Sequence, residues 1–121
     1  MSGGVLHRIV QASDAGAAQT LSVKANYGAA GVVIISADVN WSAVVASVQH
    51  KVVRDGGHAS YNTIFYDETL SLTDWVWYPD FPLLVFRKGV DGAELDDEMD
   101  FVIGAGGGAI VSRLTVILEV I

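Results

Sequence analysis

Ile110-Val111-Ser112-Arg113-Leu114-Thr115-Val116-Ile117-Leu118-Glu119-Val120-Ile121 is the stretch whose reading decides the fold class. Ile110, Leu114, Val116, Leu118 and Val120 share one parity, while Val111, Arg113, Thr115, Ile117, Glu119 and Ile121 share the other. A period of two is that of a strand, whose successive side chains point to opposite faces. The first parity is apolar enough to be core. The second keeps Ile117 and Ile121, which predicts a strand either central in its sheet or covered by another element or chain. At a sheet edge so long an apolar strand would invite aggregation, so an interior position is expected.

The same residue types recur upstream. Val, Ile, Thr, Tyr, Phe and Trp form short runs at Val5 to Val10, Gln19 to Ala25, Gly31 to Ser36, Tyr61 to Tyr66, Trp75 to Tyr78, Leu83 to Lys88 and Met99 to Ile103. Turn chemistry separates them: Ser13-Asp14-Ala15-Gly16, Asn26-Tyr27-Gly28, Asp55-Gly56-Gly57, Pro79-Asp80 and Asp91-Gly92. This spacing predicts an all-β, antiparallel β-sandwich or barrel. The segment Trp41 to Arg54 is ambiguous. Trp41, Val44, Val45, Val48 and Val52 match helical spacing, but the Val content and the following Asp55-Gly56-Gly57 turn favour a strand that forms a hairpin with the next. No linker, repeat or composition shift divides the chain, so residues 1–121 are expected to form a single domain, with residues 1–4 as an arm.

Composition narrows the function classes. The chain has 121 residues, is 51% hydrophobic and 17% charged, lacks Cys and carries a net charge of −7. Such a length supports one well-buried core, and the apolar fraction excludes disorder. Without cysteine there is no disulfide framework, thiolate zinc site or Cys nucleophile. Fourteen acids against seven bases, with no basic cluster, argue against nucleic acid as a partner. No secretion signal and no apolar run long enough for a transmembrane helix is seen, so no membrane partner is expected.

Candidate chemistry is sparse, and neither catalysis nor a cofactor is expected. Gly104-Ala105-Gly106-Gly107-Gly108-Ala109 matches a dinucleotide fingerprint formally, but the residues after Ala109 alternate like a strand, so it reads as a turn. Asp91, Glu94, Asp96, Asp97, Glu98 and Asp100 crowd one segment. Asp91, Glu94, Asp96 and Asp97 are the residues a calcium ion would use, although the regular alternating ligand pattern is missing and a solvated acidic loop is the simpler reading. His7 lies on the parity of Val5 and Ile9 and reads as a hydrogen-bonded structural residue; His50 and His58 could face each other across the Asp55 turn. No G-x-S-x-G elbow is present. Trp75 and Trp77 share a parity, with Tyr61 in the same aromatic cluster; they read either as core or as a sugar-stacking platform.

The pattern of Trp75 to Pro79, Phe81-Pro82-Leu83-Leu84-Val85-Phe86, Asp96 to Asp100 leading into Phe101-Val102-Ile103, the glycine-rich turn and Leu114 to Val120 resembles small all-β structural proteins of tailed-bacteriophage virions, such as capsid decoration proteins and fibre-like head or tail proteins. That resemblance implies a jelly-roll-like sandwich, self-associating, often as a trimer, docked on a capsid or tail protein in the virion and without catalysis. Val33, Ile35, Ile117 and Ile121 are the expected interface residues, because they are apolar on parities that one core does not need. The alternative expectation is a carbohydrate-binding module that uses Trp75 and Trp77.

Overall fold

The computed structural model describes residues 5–55, 62–80, 83–86 and 97–121. They form nine strands: β1 (Val5–Ala12), β2 (Gln19–Lys24), β3 (Gly31–Trp41), β4 (Val48–Asp55), β5 (Thr63–Leu70), β6 (Asp74–Trp77), β7 (Leu83–Phe86), β8 (Glu98–Ile103) and β9 (Ser112–Val120). A single 3₁₀ turn, Ala25–Tyr27, joins β2 to β3. The expected arm at residues 1–4 lies outside the described residues. No helix among the described residues is long and apolar enough to cross a membrane.

The strands pair in two antiparallel sheets. The first runs β1-β9-β3-β6, with β7 also pairing β3, and the second runs β2-β8-β4-β5. β6 and β7 lie end to end along β3, at Ala37–Asn40 and Gly31–Ile34, so they are two lengths of one edge line. Pro79 follows β6 by two residues; it cannot donate to a ladder, which is a local reason for β6 to end there. Counted so, the pairings nest: β4 with β5, β3 with the β6/β7 line, β2 with β8 and β1 with β9. The chain is a long hairpin whose two arms roll up together, which is a jelly roll.

Burial follows the period of two. In β9, Leu114, Val116 and Leu118 are buried, and β1 and β3 flank it, so it is interior as its sequence requires. Val32, Ile34, Ala37 and Val39 of the first sheet meet Leu21, Val23, Val52, Met99, Phe101 and Ile103 of the second in one apolar core. Ile34 and Ser36 bracket a bulge against β9, which shifts parity and leaves Ile35 exposed.

The largest differences from the sequence reading lie in β3, β4 and β5. β3 continues to Trp41, beyond Ser36. The segment Trp41 to Arg54 is neither one strand nor a helix: it ends β3, turns at residues 42–47 with Ser47 at φ 54°, and becomes β4. The helical spacing arose because Trp41, Val45, Val48 and Val52 reach one core from two strands and a turn, while Val44 is exposed. β5 starts at Thr63 and runs on to Leu70, through Asp67 and Glu68, which pair with Lys51 and His50. Across the glycine-rich connection, Gly107 and Gly108 adopt φ of 79° and 56°, and a Cβ on Gly106 would come within 2.8 Å of the Trp41 ring. Those are turn and packing requirements, as expected.

Candidate functional site

The residues proposed for a sugar platform are core. Trp75 and Trp77 are buried, at 5% and 9% exposure, because β6 presents its odd positions to the second sheet. Trp77 packs edge-on against Phe101, with ring centroids 6.2 Å apart, and Trp75 against Tyr66 at 5.5 Å. The outward residue between the two indoles is Val76. The stacking expectation is therefore corrected for Trp75 and Trp77, which have no face left for a ligand; Tyr61 lies outside the described residues.

His50 is also interior. It is fully buried, and its Nε2 accepts a hydrogen bond of 3.2 Å from Trp41 Nε1–H. Its Nδ1 then donates to the Val48 carbonyl oxygen at 3.0 Å, which fixes a neutral tautomer. Burial pushes its pKa below the ordinary histidine value of 6.5, opposed by the Val48 bond. Register sets His50 opposite Glu68 and Ile103, so it does not face the Asp55 turn; His58 lies outside the described residues. His7, expected to be structural, is exposed, because β1 overhangs the core at that end.

The acidic segment divides. Asp91, Glu94 and Asp96 lie outside the described residues. Asp97 is buried and held by Arg54, which donates from Nε to Oδ1 at 3.1 Å and from Nη2 to Oδ2. A bidentate ion pair is thus its role here, a different use from the calcium ligand set. A different trio converges on the outer face of the second sheet: Asp55, Glu98 and Asp100 offer carboxylate oxygens within 4.8 Å of one another. Ser22 Oγ donates to Asp100 at 2.6 Å. Burial, then Asp100 and Asp55, raise the pKa of Glu98, with Lys24 opposing. A hard cation such as calcium takes six to eight oxygens, so three carboxylates giving one oxygen each would supply half of a shell at most. Asp55 and Asp100 also line a shallow, open depression with Val53, Arg54, Asn62, Thr63 and Ile64.

The two outer faces differ in chemistry. That of the second sheet carries Lys24, Glu98, Asp100, Lys51 and Asp67, with Val53, Val102 and the exposed Ile64 among them. That of the first is mixed: Leu6, Val10, Ile35 and Val76 are exposed, at 66%, 51%, 40% and 53%, Val33 and Ile117 are half-buried, and Arg8, Asp38, Asp74, Arg113 and Glu119 lie between them. Val33, Ile35 and Ile117 thus share one surface, and Ile121 sits at its rim, its N–H donating to the Gly31 carbonyl. Asp38 lies on this surface; burial and Asp74 raise its pKa, with Arg8 opposing. The residues missed in the sequence are those of β1. Their signal was present, since Val5, Leu6, Ile9 and Val10 are apolar on both parities of a strand with only one face to bury.

No family of known proteins matches the sequence, and no curated protein does. Among solved structures, one described as "CBM4 structure and function" is similar at 14% identity and a TM-score of 0.44, over 92% of this chain and 82% of that one. Another, of infectious bursal disease virus Gx strain, is similar at 12% identity and a TM-score of 0.48, over 98% of this chain but 32% of that one. The chain therefore spans less than half of the viral protein's length. Both are likenesses of overall form at low identity, and they carry no ligand or partner over to this chain.

Proposed function

We propose that this chain is a non-enzymatic structural module of a virion, acting by self-association and by docking on a capsid or tail protein. The observation that carries the reading is the outer surface of the first sheet and its β1 margin. There Val5, Leu6, Val10, Ile35, Val76 and Tyr78 are exposed, with Arg8, Asp38, Asp74, Arg113 and Glu119 between them. Large apolar side chains left exposed beside polar ones are what contact with other chains uses. The sequence resemblance to bacteriophage virion proteins supplies the kind of partner, and the jelly roll is the architecture that resemblance implies. Carbohydrate binding through Trp75 and Trp77 loses its basis with both rings in the core.

Co-assembly tests the proposal. Particles are formed from the capsid or tail protein encoded beside this chain, mixed with the purified chain and pelleted. Saturable retention in the pellet is expected; complete recovery in the supernatant would sink the virion reading.

A further inference from the structure

Each sheet has two edges, and three of the four are blunted. The β6/β7 edge is divided, β6 ending at Trp77 just before Pro79. On β2, Gln11 Nε2 donates to the Thr20 carbonyl and the Tyr27 hydroxyl to the Ser22 carbonyl. β5 carries Asp67 and Glu68 and is bulged against β4. These are the usual devices that stop a sheet from growing. β1 has one charge, Arg8, and otherwise none of them: eight residues without proline, bulge or acid.

The ladder shows which of its groups are free. Ser13 N–H bonds the Ser112 carbonyl in register with β1 and β9, so the odd residues of β1 bond toward β9. The N–H and C=O groups of Leu6, Arg8, Val10 and Ala12 therefore point away from the sheet, and among the described residues none of them finds a partner. Leu6 and Val10 expose their side chains along the same margin.

We propose that this edge pairs antiparallel with β1 of a second copy, about a two-fold axis through Ile9, joining the two first sheets into one. The proposal deepens the self-association reading given above and rests on it. Two observations select a second copy. The chain carries −7, and β1 holds Arg8 and no acid, so two such molecules meeting along β1 bring no acid against acid on the paired strands. The sequence is also self-complementary in one register. With Ile9 opposite Ile9, the outward residues pair as Leu6 with Ala12 and Arg8 with Val10, so all four free positions are used. The two Ile9 side chains, on the core side, then meet across the axis. Sliding by one residue to centre on Arg8 sets Arg8 against Arg8, a like-charge pair that opposes pairing. Such a contact is isologous and closes at two copies, unlike the trimer implied by resemblance.

Charge at Val10 tests both the edge and the register, because Val10 lies opposite the partner's Arg8 twice per dimer. In sedimentation velocity over a concentration series, the wild-type mass should approach twice 12.8 kDa. Val10→Lys should weaken the dimer about tenfold, since two like-charge pairs form. Val10→Glu should bind at least as tightly as wild type, although it makes each chain more negative. Val10→Pro, which deletes one outward donor and no bond to β9, should melt near the wild-type temperature and remain a monomer. A wild type that stays monomeric, a trimer, or equal weakening by Lys and Glu would overturn the proposal. A dimer that fails to pellet with particles leaves the edge pairing intact and removes the virion reading. Retention on particles by a chain monomeric in solution does the reverse.

Discussion

At His50 a single proton decides whether a buried network survives. The ring is neutral in the fold, accepting from Trp41 and donating to Val48, with Trp75 5.2 Å away. A second proton would remove the acceptor that Trp41 needs. The folded pKa lies below 6.5, so the unfolded chain binds a proton first as pH falls. Stability is therefore complete above about pH 6.5 and declines below it, until the folded ring also titrates. Thermal melts between pH 7.5 and 5 should show this fall, and His50→Leu should abolish its slope. At neutral pH the same variant should cost about 1–3 kcal/mol, because the Trp41 N–H is left buried without a partner. Asp38 and Glu98 act with opposite sign, since their pKa values are raised: they favour the folded state at acid pH and lose that contribution as pH rises through the carboxylate range. Asp97 is a second sensitive point. Asp97→Ala should lower stability by about 1–3 kcal/mol by breaking the bidentate contact with Arg54, a loss that a urea melt resolves.

Among the elements, those whose two faces differ were legible from the sequence, and those shaped by partners were not. β9 announced its period of two and its interior position, because Leu114, Val116 and Leu118 stand on one parity. The stretch from Trp41 to Val52 misled because a turn at residues 42–47 returns the chain to the same core, and any route to one core imitates a helical stripe. Trp75 and Trp77 were legible as a pair on one face; which face depends on β3, whose Val39 and Ala37 lie opposite them. The trio Asp55, Glu98 and Asp100 was not legible, because β4 and β8 bring it together from residues far apart in the chain. Turns make a sharper test. Gly107 and Gly16 both have positive φ, 79° and 73°, but a Cβ on Gly107 meets nothing within 4 Å, whereas on Gly16 it would lie 2.5 Å from the Gly108 carbonyl oxygen. Gly107→Ala should cost about 1 kcal/mol from backbone strain alone. Gly16→Ala should cost more, since rigid backbone must also move, and paired chemical melts of the two variants measure the difference.

For the molecule as a whole, the apolar excess of the sequence resolves into one core, a set of exposed apolar side chains on the outer face of the first sheet and one open edge. All three tryptophans belong to the core, so intrinsic fluorescence should be blue-shifted, resistant to iodide and unchanged by added oligosaccharides. A saturable quench by a sugar would show an indole reachable from solvent. The nested pairing has a further consequence, for synthesis. β9 is the last strand of the roll to leave the ribosome, yet it belongs between β1 and β3, which emerge early. Until it arrives, each of those strands has an unfilled side where β9 will lie, and the first sheet has no middle. The nascent chain must therefore hold two aggregation-prone edges apart until β9 emerges, and a ribosome stalled before Ser112 should carry a chain open to proteases along its first sheet.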